Sequence, residues 1–163
     1  MRSFNALIYR GLRVLLTLLI AVMIIPVTLQ IFSRFVDFIP RYIWTEEAAR
    51  FCLIWLIMLG ATIAVRDGTH FDVDVLSSPE TAKGKAIARI IVHVAMFLVA
   101  LIFIAFGWRF AVFGWEQNSE MTGINMLWIH AAFPLAGVCW FLFLLEKIGD
   151  DIKLYVDGRD GTA

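Results

Sequence analysis

VLLTLLIAVMIIPVTLQIFS, residues 14–33, runs about 20 positions without a charged side chain. At 1.5 Å of rise per residue, a helix of that length spans about 30 Å, the thickness of a bilayer's hydrocarbon core. Arg13 and Arg34 bound the run, so the charges begin where headgroups would. A signal peptide has a shorter apolar region and a small-residue cleavage site after it. Arg34 and Phe35 follow here instead. The stretch reads as a retained spanning helix, a signal anchor.

Outward from that helix, charges divide the chain into three further apolar segments. One is residues 51–65, one lies between Arg89 and Arg109, and one lies between Glu120 and Glu146. The first of these is short, but residues 44–50 extend it into the interface, where Arg50 can snorkel. Only helices and closed barrels satisfy their backbone groups in lipid, and barrel strands are far shorter and alternate in polarity. The expectation is an all-α integral membrane protein with four transmembrane helices, at about 12–34, 44–66, 87–109 and 123–146. A tail at 147–163 follows, and residues 1–163 form a single membrane domain with no internal repeat.

Composition agrees. Of the 163 residues, 61% are hydrophobic and 17% charged, with a mean hydropathy of +0.81. A soluble domain carries about 25% charged residues, and a chain this small has too little interior to hide the excess. Net charge is zero, so no basic field recommends a nucleic-acid partner. Cys52 and Cys139 each sit in an apolar run with no metal-type spacing and read as small buried hydrophobes.

Lysine and arginine placement sets the expected orientation. With the N-terminus inside, the cytoplasmic side carries Arg2, Arg10, Arg13, Arg66, Lys83, Lys85, Arg89, Lys147, Lys153 and Arg159. The outside carries Arg34, Arg41, Arg50 and Arg109. The bias favours both ends inside. Trp44, Trp108, Trp115 and Trp128 then form one outer aromatic belt, while Trp55 and Trp140 lie deeper and pack between helices.

The connections carry helix punctuation. Pro40 separates the first two helices, Thr45 is the expected N-cap of the second, and Glu46 and Glu47 suit its first turn. Arg66-Asp67-Gly68 places a cation and a glycine where that helix should end. Ser77, Ser78, Pro79 and Glu80 read as the next start. Short amphipathic interfacial helices are expected at the termini, from Phe4, Leu7 and Ile8 and from Ile148, Ile152 and Tyr155.

The chemistry is sparse. No acidic or basic residue stands near the middle of any helix, although ion-coupled carriers keep such costly groups for function. Pro26 and Pro134 suit simple kinks rather than broken helices. His93 and His130 lie within helices, yet their heights in the bilayer differ by well over ~10 Å, which is unsuitable for the two axial ligands of one haem. Glu46, Glu47 and Arg50 form the densest charge group near the membrane, either a solvated helix start or a polar contact with another subunit. The stretch RDGTHFDVD, residues 66–74, reads as a loop either docked on a partner or exposed. Its DxD pair lacks the further ligands that a metal site requires.

Two local patterns carry a family resemblance. One is WTEEAAR, with Trp44, Glu47 and Arg50; the other is GATIAVRDGTHFDVDVL, with Gly60, Arg66, Gly68, His70, Asp72 and Asp74. In order, spacing and topology the chain resembles the small membrane subunit (DctQ-like) of tripartite ATP-independent periplasmic (TRAP) transporters.

The resemblance implies a non-catalytic role in a bacterial inner membrane. The small subunit would brace a large membrane subunit that binds sodium and substrate, and would help dock a periplasmic substrate-binding protein during organic-anion uptake. Partner contacts are expected at Trp44, Glu46, Glu47 and Arg50 outside, and at Arg66, His70, Asp72 and Asp74 inside. Membrane lipids are the remaining partners. No enzyme activity and no cofactor are expected of this chain, sodium belonging to the large subunit. The competing readings are a haem-bearing anchor of a redox complex and a stand-alone small exporter.

Overall fold

A computed structural model describes residues 2–36, 38, 40, 42–68 and 82–156. In chain order its helices are α1 (Arg2–Phe35), α2 (Trp44–Asp67), α3 (Ala82–Trp115), α4 (Leu127–His130) and α5 (Ala132–Val156). Four stretches are long and apolar enough to cross a membrane: α1, α2, α3, and α4 with α5 taken together. Among the described residues there is no strand, only an isolated bridge between Asn118 and Asn125. The protein is all-helical and spans the membrane four times.

Helix α1 absorbs the N-terminal amphipathic segment. Its 34 residues make a rod of about 50 Å against a hydrocarbon core of about 30 Å. Nothing before Pro26 interrupts it, and Gly11, alone among good helix formers, costs too little to break it. Helix α3 is equally long.

Helix α2 begins at Trp44, so Thr45 lies inside the first turn and is not the N-cap that its position suggested. Its hydroxyl donates back to the Tyr42 carbonyl at 2.7 Å, and Ile43 holds the cap position without a side-chain bond. The other end follows expectation. Gly68 takes φ 77°, a left-handed conformation natural to glycine, and its N–H returns to the Ala64 carbonyl at 3.0 Å.

The fourth crossing starts as a single turn, Leu127–His130, pauses at Ala131 and resumes. Pro134 explains the pause. It has no N–H for the His130 carbonyl, and its ring crowds that carbonyl, yet it fits the first turn of α5.

Helix α1 packs along α2, α3 packs along α5, and contact between α2 and α5 joins the pairs. The core holds Val65, Ala100, Ala136, Trp140 and Leu144. Lipid supplies no hydrophobic drive between helices, so close approach at small residues matters. At Gly137 an added Cβ would lie 3.0 Å from the backbone of Ile104. At Gly107 it would lie 2.9 Å from the Pro134 nitrogen. The backbones of α3 and α5 therefore touch.

This arrangement gives the bundle two distinct ends. One gathers the start of α1 with the ends of α2 and α5, and we call it the termini end. The other holds the 116–126 connection above the start of α2, and we call it the loop end.

Candidate functional site

Polar side chains collect at these two ends and thin out between them. In the middle, the Trp140 indole donates to the Thr62 hydroxyl at 2.9 Å, and Thr62 donates to the Met58 carbonyl at 2.7 Å. Both groups are satisfied within the bundle.

At the loop end, Arg50 bonds Glu46 at 3.1 Å, one turn apart on α2, with side chains 64% and 66% exposed. The stripe continues through Leu53 and Ile57, both exposed, at the spacing of one helix face. An ion pair thus leads an apolar face that no other described residue covers. Trp44 stands beside it, half exposed, with its ring 6.3 Å from that of Tyr42.

Glu47 points the other way, toward the hydroxyls of Ser119 and Thr122. Its Oε2 is buried without a hydrogen-bond partner. The loop that faces it is tightly built. Ser119 is buried and accepts from the N–H groups of Met121 and Thr122, each at 3.2 Å. Asn125 donates to the Trp115 carbonyl at 2.8 Å and accepts from the Leu127 N–H at 2.9 Å, tying the end of α3 to the start of α4. Gly123 makes the turn at φ 69°. Between this loop and α2 lies a cleft of about 500 Å³, lined by Glu46, Glu47, Arg50, Asn118 and Ser119 among others. Its lining is charged and polar, with Met121 and Met126 as apolar members.

At the termini end, Arg66 is engaged within the chain. Its guanidinium lies 5.2 Å from the Tyr9 ring centroid and 5.0 Å from that of buried Phe143. The Tyr9 hydroxyl donates to Asp67 at 2.7 Å. Lys147 donates to the Val65 carbonyl at 2.8 Å, satisfying a carbonyl at the end of α2. Asn5, 2% exposed, donates to the Glu146 carboxylate. His93 and Asp151 pair at 2.6 Å between α3 and α5. These contacts involve all four spanning elements.

The structure therefore brings Glu46, Glu47 and Arg50 to one cleft, with Trp44 nearby, and places Arg66 at the opposite end. His70, Asp72 and Asp74 lie outside the described residues. Asn5, Tyr9, Asp151 and Ser119 were not singled out from sequence. The available signal was weak: acids at positions 146, 150 and 151 within a segment still apolar at Ile148 and Ile152.

His93 and His130 fall at opposite ends of the bundle. His93 is taken up by Asp151, while His130 stacks on Phe110 at 3.8 Å with its Nδ1 3.1 Å from the Phe110 carbonyl. Cys52 and Cys139 are free thiols. Among the described residues, no three His, Cys, Asp or Glu side chains converge as metal ligands would.

Comparison with known proteins bears on this arrangement. The family model for tripartite ATP-independent periplasmic transporters, DctQ component, matches residues 23–154. The chain is 33% identical over 122 residues to the sialic acid TRAP transporter permease protein SiaT of Haemophilus influenzae. That match covers 75% of this chain but only 20% of SiaT, so the chain spans about a fifth of that relative's length. It is also 27% identical over 138 residues to the sialic acid TRAP transporter small permease protein SiaQ of Vibrio cholerae, covering 83% of this chain and 78% of the relative.

Proposed function

The chain belongs to the DctQ component family of tripartite ATP-independent periplasmic transporters, and from that premise we propose how it serves one. It is a small, multi-pass membrane subunit and not an enzyme. Its role is to brace a large permease subunit in a bacterial inner membrane, both chain ends facing the cytoplasm and the loop end facing outward. The large subunit binds sodium and an organic anion and carries them across. The loop end helps seat a periplasmic substrate-binding protein above it.

One observation carries this reading. The Glu46–Arg50 pair and the stripe below it form a face of α2 left bare by the other described residues. A second subunit on that face buries Leu53 and Ile57 and strengthens the pair by partial desolvation. The Trp140–Thr62 bond, satisfied within the bundle, suits a structural role for its centre.

The test substitutes Glu46→Gln and Arg50→Gln singly and measures both co-purification with the large permease and uptake of its substrate. Both should fall while the chain still inserts. Unchanged association and uptake would remove these residues from the contact. The chain reconstituted alone should pass no organic acid and dissipate no sodium gradient; robust flux from that preparation would overturn the subunit reading.

A further inference from the structure

Helix α3 presents Ile102, Phe106, Arg109 and Phe113 on one exposed face, at the i, i+4, i+7, i+11 spacing of neighbouring turns. Between this face and α5 runs a cavity of about 510 Å³. Phe133 of α5 meets Phe103 at 6.3 Å and Phe110 edge-on at 5.5 Å. Gly107 holds the two backbones together beside them. Apart from Arg109, every side chain lining the cavity is apolar.

Arg109 is the anomaly. Its guanidinium stands 5.9 Å from the Phe106 ring centroid, and no acidic partner meets it among the described residues. Trp108, beside Arg109 on the same helix and 67% exposed, marks the depth at which indoles sit among headgroups. An uncompensated cation at headgroup depth therefore stands over an apolar furrow that descends toward the bilayer centre.

The lining selects the occupant. The furrow extends from residue 102 to residue 113, roughly 16 Å of helix, and its wall is apolar except at Arg109. A cation at one height with a bare apolar wall below it matches the phosphate and one acyl chain of a phospholipid. Beneath Arg109 the furrow continues for about 10 Å of rise, most of one leaflet's share of the hydrocarbon.

We propose that this groove is a phospholipid site, with the phosphate on Arg109 and one acyl chain against Phe103, Phe106 and Phe133. The lipid comes from the leaflet at the loop end. Its phosphate supplies the anion that no described residue offers Arg109, in a charge-assisted pair strengthened by its apolar surroundings. The site lies on α3 and α5 rather than on the bare face of α2. It stands or falls independently of the subunit contact proposed above.

The experiment uses the full chain in phosphatidylcholine vesicles doped with a phosphatidylglycerol carrying a photoactivatable acyl chain. Cross-links should concentrate on residues 102–113. Arg109→Gln should lower them roughly tenfold, the effect of losing one charge-assisted bond, and Arg109→Lys should retain most of them. Arg34→Gln, at a loop-end arginine outside the groove, should change nothing. On the unaltered chain, excess unlabelled phosphatidylglycerol should compete and diacylglycerol, which lacks the phosphate, should not. Three results overturn the proposal: labelling spread evenly over the exposed faces of α1 and α3, labelling indifferent to Arg109→Gln, or equal competition by diacylglycerol. Cross-links that vanish when the large permease is co-expressed would also overturn it, assigning Arg109 to a protein carboxylate.

Discussion

Trp140 and Thr62 join α5 to α2 through one hydrogen bond of 2.9 Å, and the same hydroxyl closes back on the Met58 carbonyl at 2.7 Å. The contact is buried, with Thr62 1% and Trp140 8% exposed. Hydrocarbon offers no substitute partner to either group, so the pair fixes how the two halves of the bundle register.

Removing the acceptor should cost more than removing the donor. Thr62→Val leaves the indole N–H buried and unpaired, a loss of about 1–3 kcal/mol. Trp140→Phe leaves the hydroxyl still bonded to Met58, and its cost is chiefly lost packing. Denaturant titration of the purified chain should give the two single values. The double variant should fall short of their sum by about 0.5–1.5 kcal/mol, the range of hydrogen bonds between membrane helices.

His93 and Asp151 should behave as a coupled pair. They approach to 2.6 Å with side chains 15% and 7% exposed. Asp151→Leu strands the imidazole against apolar surroundings and should destabilise the chain by about 2 kcal/mol or more. Asp151→Asn preserves a hydrogen bond and should cost less. Replacing both residues with leucine should recover much of the single-variant loss, because no polar group is then left buried alone. A double variant less stable than Asp151→Leu would refute the coupling.

The spanning helices were legible because the bilayer fixes a length. An uncharged run such as residues 14–33 has few other uses, and the charges at Arg13 and Arg34 delimit it. The clustering of Glu46, Glu47 and Arg50 was legible from helix spacing. The termini-end contacts were not. Asn5 and Glu146 stand 141 positions apart, and nothing local distinguishes a buried asparagine from an interfacial one. Thr45 shows the same limit at short range. A threonine beside a helix start suits a cap, and only the path of the preceding backbone decides whether its hydroxyl turns forward to an N–H or back to the Tyr42 carbonyl.

Glycine substitutions should separate close approach from open space. A Cβ at position 114 would collide with Nδ1 of His130, whose ring stacks on Phe110 and bonds the Phe110 carbonyl. Gly114→Ala should therefore push α3 from α4 and cost about 2 kcal/mol. At Gly11 nothing lies within 4 Å, and Gly11→Ala should stabilise α1 by about 0.5–1 kcal/mol. Thermal unfolding in detergent reads both signs, and equal effects would contradict the close packing found at Gly114.

Arg66 offers a direct choice between a role inside the chain and one outside it. Its guanidinium is set between two rings, and the contact with buried Phe143 is worth about 1 kcal/mol where water is partly excluded. Arg66→Gln should lower the stability of the purified chain by that amount. Arg66→Lys should recover only part of it, because an ammonium lacks the planar face that stacks on a ring. Tyr9→Phe keeps the ring under Arg66 and removes only the bond to Asp67, so it should be milder than Arg66→Gln. A residue serving the partner alone behaves differently: its loss leaves the isolated chain as stable as before and weakens only co-purification with the large permease. Measuring both quantities for Arg66→Gln and Arg50→Gln should show opposite patterns, stability falling for the first and association for the second. The same pattern in both would mean that the two ends of α2 do not divide their work in this way.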